Sequence, residues 1–376
     1  MYIENVEVKQ MSSSIGNRVK VTVFGESHGE AIGCILDGLP AGETLDLEEI
    51  DVQMARRAPG RDKASTPRRE SDTPRILSGL YDGRTTGAPL AMAIANENIR
   101  SADYGELARK PRPGHADYTA HVRYNGYNDI RGGGHFSGRL TAPLVFAGGV
   151  CRQILRRRGV RIGGHILEIH GVRDRSFDPV RVDATQLEQL ASQSFSLIDP
   201  SSETPMREQI DAARMELDSV GGIVEAAAVG LPAGLGSPMF DGVENRLAAM
   251  LLGIPAVKGI EFGAGFGFSA MRGSEANDPY IYASDGGIVT TSNNNGGMLG
   301  GITNGMPLIV RTVIKPTPSI ARLQNTVDLA DGQNTELSVH GRHDPCIVPR
   351  ALPVVEAVMA VCLLDMMETE TLAGQE

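Results

Sequence analysis

The sequence predicts one integrated domain in which helices and strands alternate along a single chain. Apolar residues recur with period two in some segments and at spacings of three and four in others, and the two patterns interleave from end to end. Hydrophobic residues make up 41% of the chain and charged residues 22%, enough apolar material for a sizeable core. A length of 376 residues sets a prior of two to three domains. No Ser/Gly-rich or acidic stretch reads as a flexible linker, so residues 1–376 are taken as one unit.

In chain order, Val19, Val21 and Val23 alternate with Lys20 and Thr22 in a strand ending at Phe24. Ala31 to Leu36 forms its hairpin partner, closed by Asp37-Gly38-Leu39-Pro40. Leu45 to Arg57 reads as a helix. A second helix spans Leu140 to Arg158, where Leu140, Leu144, Ala147, Cys151 and Leu155 share a face and Gly159 supplies the stop. Further helices fit Gln186 to Gln193, Ser202 to Leu217, Asp241 to Leu252 and Leu352 to Met367; strands fit Ile223 to Val229 and Leu308 to Ile314. The string Ile35-Leu36-Asp37-Gly38-Leu39-Pro40-Ala41-Gly42 is echoed by Ala228-Val229-Gly230-Leu231-Pro232-Ala233-Gly234, which suggests two related halves. Three segments, about Asp62 to Arg75, Asn96 to Asn128 and Phe266 to Asn304, show no sustained periodicity. Loops of that length in a compact domain are usually functional, and Ser292-Asn-Asn-Asn-Gly-Gly297 reads as a segment able to close at low steric cost.

The charges sum to −10, which argues against general nucleic-acid binding, since that needs a basic footprint. Cys34, Cys151, Cys346 and Cys362 are scattered without a CxxC, indicating reduced thiols rather than a zinc site or disulfides. Met1 to Arg18 lacks the apolar core of a secretory signal. The most apolar stretch, Ala351 to Leu364, is too short to span a bilayer and holds Pro353 and Glu356. A cytoplasmic protein without a membrane partner is expected.

Against this acidic background, Arg56, Arg57, Arg61, Lys63, Arg68 and Arg69 form a basic island countered only by Asp62. Guanidinium forks grip carboxylates and phosphates through two oxygens at once. A second basic run is Arg109-Lys110-Pro-Arg112-Pro-Gly-His115. Arg131-Gly132-Gly133-Gly134 through Ser137-Gly138-Arg139 opens the second helix, so bare backbone NH groups and a helix N-terminus converge as an anion cradle. Its spacing is neither that of a P-loop nor of a dinucleotide fingerprint. Lys315-Pro316-Thr317-Pro318-Ser319, after a strand, adds an ammonium and two hydroxyls. Of eight histidines, His28 and His115 lie in polar, Gly-flanked contexts suited to general acid work near neutrality. His121, His165 and His170 read as structural or surface residues. A metal site from His28, His115, His340 and Asp344 is an alternative without the ligand spacing of a known motif, and no metal is expected. A non-catalytic phosphometabolite- or RNA-binding protein and a metal-dependent phosphatase are the remaining rivals.

Taken together, Phe24-Gly-Glu-Ser-His-Gly29 with Asp37-Gly-Leu-Pro40, Arg112-Pro-Gly-His-Ala-Asp-Tyr118, Arg131-Gly-Gly-Gly134 through Ser137-Gly-Arg139, and Gly341-Arg-His-Asp-Pro-Cys346 resemble the chorismate synthase family. The order and spacing of these motifs run from about residue 10 to 365. The resemblance implies an α+β, β-α-β sandwich fold in which sheets cover helices, usually as a homotetramer. It implies a lyase that eliminates phosphate from 5-enolpyruvylshikimate-3-phosphate to give chorismate for aromatic amino acid biosynthesis. Reduced FMN would be bound but not consumed. Lacking an added reductase domain, the chain resembles the monofunctional type that takes reduced flavin from an external reductant, NADPH entering only as a source of electrons.

By that resemblance His28 protonates the leaving phosphate, His115 protonates the flavin, and Asp344 relays protons near it. Substrate contacts carry over to Arg57 and Lys63, with Arg56 and Arg139 as neighbours in the same motifs. Flavin contacts carry over to His135, Phe136 and Ser137, to Pro255, Ala256 and Gly300, to Lys315, Pro316, Thr317, Pro318 and Ser319, and to Arg342. Many relatives carry Arg-Ser where this chain has His135-Phe136, which leaves the backbone NH groups as the shared part of that contact.

Overall fold

The computed structural model describes residues 13–60, 72–96, 105–339, 341 and 343–373; Lys63, His340 and Arg342, along with Arg61, Arg68 and Arg69, lie outside them. In the first half β1 (Ser14–Ile15), β2 (Lys20–Gly25) and β3 (Ala31–Asp37) precede α1 (Leu47–Arg57). Then come β4 (Arg75–Ser78), the small hairpin β5 (Leu80–Tyr81) and β6 (Arg84–Thr85), and β7 (Leu90–Ala95). Helices α2 (Asp117–Arg123) and α3 (Thr141–Arg157) lead into the second half, which opens with β8 (Arg161–Ile169) and β9 (Val172–Arg173). Helices α4 (Ala184–Ser192) and α5 (Glu203–Met215) are followed by β10 (Gly222–Val229), α6 (Val243–Leu252) and β11 (Val257–Phe262). Next are the short α7 (Gly273–Ala276) and the hairpins β12 (Tyr280–Tyr282) with β13 (Ile288–Thr290) and β14 (Met298–Leu299) with β15 (Ile302–Thr303). The chain continues through β16 (Leu308–Ile314), β17 (Gln324–Asp328), β18 (Gln333–Leu337) and α8 (Val348–Ala373).

Two antiparallel five-stranded sheets, in the orders β1-β2-β3-β7-β4 and β11-β16-β10-β8-β9, enclose a layer made of α1, α3, α6 and α8. Alternation decides which face of each sheet turns inward. Ile32, Cys34 and Leu36 pair in register with Ile94, Met92 and Leu90, and all six are buried against the helices. Each such side chain contributes roughly 1.5–3 kcal/mol on full burial. Helix α8 lies between both sheets, which is why it is apolar on every side. Its two buried acids are both paired: Glu356 takes Arg56 and Arg152, while Asp365 accepts from the amides of Asn17, Arg18 and Val19 and from Arg246. Gly148 of α3 lets the two long helices touch, since a Cβ there would fall 2.2 Å from that of Ala357.

The echoed string marks a real internal repeat. Read as β4-β7-β3-β2, four strands of the first sheet follow the order of β11-β16-β10-β8; the edge strands differ, β1 preceding β2 and β9 following β8. After β3, Thr85 Oγ1 donates to Pro40 O at 2.6 Å; after β10, Thr303 Oγ1 donates to Pro232 O at 2.6 Å. Gly42 N donates to Thr85 O at 2.7 Å, as Gly234 N does to Thr303 O at 2.8 Å. The hairpins β5–β6 and β14–β15 occupy matching places, followed by Gly87-Ala-Pro-Leu90 and Gly305-Met-Pro-Leu308.

Two long segments expected to be irregular carry short elements: Asn96 to Asn128 holds α2, and Phe266 to Asn304 holds α7 and two hairpins. Strands of two or three residues are too short to show a period. Segment 292–297 is held in place rather than free to close. Asp278 accepts from Ser292 Oγ and the amides of Asn294 and Asn295, and buried Asn293 donates to Pro179 O and Pro307 O.

Candidate active site

The turn after β2 carries Ser27 and His28, both buried despite their polarity. Asn96, at the end of β7, fastens this turn by donating from Nδ2 to Glu26 O and Gly29 O at 3.0 and 2.8 Å. Ser27 N in turn donates to Gly134 O at 3.1 Å, which draws the glycine run against the turn.

Gly132, Gly133 and Gly134 adopt φ of 60°, 85° and 53°, a left-handed path that glycine follows without strain. Absence of side chains is as necessary as the path. A Cβ on Gly132 would lie 2.2 Å from His28 Nδ1 and 2.7 Å from Ser27 Oγ, and one on Gly133 would lie 3.1 Å from His115 Cε1 and Nε2. The run is thus a bare surface on which two imidazoles rest side by side. The expected helix N-terminus comes later: two 3₁₀ turns intervene and α3 begins at Thr141.

His115 precedes α2, with Nδ1 2.5 Å from Oδ1 of Asp117, the first residue of that helix. Arg112 binds the same carboxylate through Nε, Nη2 and its backbone amide. Burial alone would raise the Asp117 carboxyl, but the hydrogen bonds from Arg112 and His115 outweigh it and hold it well below the usual carboxylate range.

Arg112 Nη1 also donates to Ser319 Oγ at 3.1 Å, and Lys315 Nζ donates to Gly114 O. The loop from Lys315 to Ser319 therefore lies beside the His115 loop, with Pro318 against Gly114. Pro255 and Ala256 join it through the bond from Lys315 N to Ala256 O at 2.9 Å, and Pro316 packs at Gly221. Burial, helped by the charge of Lys258, lowers the Lys315 pKa. Thr317 Oγ1 is buried with no hydrogen-bond partner among the described residues, so a hydroxyl and an ammonium are both available to an anionic group here. This chemistry fits the phosphate end of a flavin mononucleotide.

Beneath the glycine run, Arg57 and Arg139 share Asp72, at 2.8 and 2.7 Å. Arg57 donates further to Thr141 Oγ1 and Gly138 O, and Arg139 to Asn96 Oδ1. Asp72 thus ties the guanidinium at the end of α1 to the one at the start of α3. Arg56 does not join them: its guanidinium is taken by Glu356, a partner it shares with Arg152, on the other side of α1. Asp344 is held by Arg350, whose Nε donates to Arg57 O at 2.9 Å.

Of the remaining expected flavin contacts, His135 has both ring nitrogens engaged, with Gly25 O and Ser13 Oγ, each at 2.8 Å. Phe136 is exposed beside Tyr124, and Ser137 Oγ accepts from Arg139 N. Gly300 sits in the β14–β15 turn, next to a glycine whose packing partners are Ser237 and Gly242. His121 and His170 are exposed, while His165 is buried between Asp174 and Glu225. Among the described residues, no group of three or more His, Cys, Asp or Glu side chains is arranged to hold a metal.

Sequence reading missed Asp117, Asp72 and Asn96. Asp117 had a visible signal, an acid two residues after a histidine at the head of a short helix. Asp72 and Asn96 had none, because their partners Arg57 and Arg139 are distant along the chain.

Residues 19–367 match the profile of the family described as chorismate synthase. A chorismate synthase from Dehalococcoides mccartyi is 46% identical over 356 residues, covering 95% of this chain and 96% of that protein. One from Pyrococcus abyssi is 49% identical over 353 residues, covering 93% and 96%. A crystal structure of chorismate synthase superimposes with a TM-score of 0.74 at 28% identity, covering 95% of this chain and 93% of that one.

Proposed function

Since the chain belongs to the chorismate synthase family, lyases of aromatic amino acid biosynthesis, we propose that it eliminates phosphate from 5-enolpyruvylshikimate-3-phosphate in the trans-1,4 sense to yield chorismate. The observation that carries this reading is the pair of imidazoles, His28 and His115, resting on Gly132 and Gly133, with Arg57 and Arg139 joined through Asp72 near the same run. Losing a phosphate dianion requires a proton donor at the leaving oxygen and positive charge to receive it.

His28, buried against the glycine run, donates that proton. His115 exchanges a proton through Nε2 toward the cofactor position, and Asp344, tied through Arg350 to the end of α1, relays protons behind it. Arg57 and Arg139 supply positive field beneath the substrate's carboxylates, with Lys63 as a direct contact; Arg56, drawn to Glu356, has no part. Lys315, Thr317 and Ser319, the neighbouring Pro255 and Ala256, and Arg342 would hold reduced FMN. When bound, that cofactor supplies electron density to the substrate and an acceptor for the proton lost from C6. The enzyme would work in the cytoplasm as a homotetramer, fed by an external reductant.

Anaerobic mixing of protein and substrate, with and without reduced FMN, tests the reading. Phosphate should appear only with reduced FMN, and its absence there would overturn it.

A further inference from the structure

We infer that Asp117 is a positioning residue that fixes His115 as the Nδ1–H tautomer, so that Nε2 is the atom presented at the glycine run. His115 Nδ1 has two polar neighbours, Asp117 Oδ1 at 2.5 Å and Arg112 Nη2 at 3.1 Å. An arginine can only donate and an ionised carboxylate can only accept, so the one nitrogen cannot serve both. The carboxylate is the nearer, and two lone-pair atoms at that distance in a buried site would repel. Nδ1 therefore carries hydrogen. Arg112 Nη2 is satisfied instead by the same Asp117 Oδ1 at 2.8 Å.

Asp117 is itself held from two directions. Its backbone belongs to the first turn of α2, and Oδ2 accepts from Arg112 Nε at 2.7 Å and Arg112 N at 3.0 Å. Arg112 also reaches Ser319 Oγ, so the carboxylate's position is referred to the loop beside which His115 works. Because the Arg112 guanidinium cancels the charge of Asp117, what the acid supplies is orientation. With Nδ1–H donated to Asp117, the Nε2 edge faces the position of Gly133, where it alone can take up or release a proton.

This rests on the proposed role of His115, and the test separates the two. In full-length protein with ¹⁵N-labelled histidine, with His115→Gln assigning the signal, neutral His115 should carry its proton on Nδ1. In Asp117→Asn the amide oxygen goes to Arg112 and the amide NH₂ turns to the ring, so the proton should move to Nε2. Turnover with reduced FMN should fall roughly 10²-fold or more with little change in KM, as a misoriented catalytic group costs. Asp117→Glu should recover part of it. An Nε2–H wild-type ring, or an Asp117→Asn protein with Nδ1–H and wild-type turnover, overturns the inference. The wild-type spectrum decides even if the variants fail to fold. Failure of wild-type protein to release phosphate would instead overturn the reaction, leaving the tautomer result standing.

Discussion

Gly132 shows how little room the site leaves for change at a single residue. Alanine there places a Cβ 2.2 Å from His28 Nδ1 and must hold φ at 60°. We expect Gly132→Ala to lose roughly 10²-fold in kcat, because the imidazole is displaced by about an ångström. Stability should fall by about 1 kcal/mol from the left-handed backbone. Gly273→Ala, whose Cβ would meet nothing within 4 Å, is the control and should be silent in both activity and urea unfolding. Both histidines were legible in the sequence from their polar, Gly-flanked settings. The glycine run was legible only as a cradle for anions, since its service as a surface for two imidazoles needs the fold. Arg56 and Arg57 were read together as one island, yet neighbours on a helix point about 100° apart. One enters the helical layer and the other the site.

At the level of elements, the start of α3 is held by charges that belong to three separate segments. Removing Arg57 leaves buried Asp72 with less of its compensation, so Arg57→Ala should cost about 3–5 kcal/mol in unfolding free energy besides weakening anion binding. Urea titration beside calorimetry checks this; an affinity loss at wild-type stability would contradict it. A second buried cluster joins β8, β10 and β16, where His165 lies between Asp174 and Glu225, and Arg311 also binds Glu225. Burial would lower the His165 pKa, but the hydrogen bonds it donates to both carboxylates outweigh it and raise it above 6.5. That contribution is complete below pH 6.5 and is lost as pH rises through the raised value. Asp174 and Glu225 are depressed, so theirs is lost only in acid, below their ordinary 3.8 and 4.5. Unfolding free energy should therefore decline above pH 6.5, and His165→Gln should remove most of that decline. Parallel wild-type and variant profiles would refute it. His165 was read as structural or surface, but its partners were not legible, because the cluster's members are brought together by the fold rather than by spacing.

Over the whole molecule, the long helices and the strands β2, β3, β10 and β16 were legible, α8 only in its middle part, whereas β7, β8, β11 and the short hairpins were not. The repeat was visible in one short string; its other traces share little beyond Gly-x-Pro-Leu. If the halves are structurally equivalent, Thr85→Val and Thr303→Val should each cost a similar amount, about 1–3 kcal/mol, by leaving a turn carbonyl and amide unpaired. A loss confined to one would argue against equivalence. The layering also bears on how the chain is made. The second sheet and the other helices of the layer close upon α8, which the ribosome delivers after every strand of either sheet. Until then the first sheet can rest on α3, but α3 and the inward faces of β8 and β10 lack a major partner, and the nascent protein must carry that apolar surface exposed. Dependence on chaperones should therefore be greatest just before Val348 emerges.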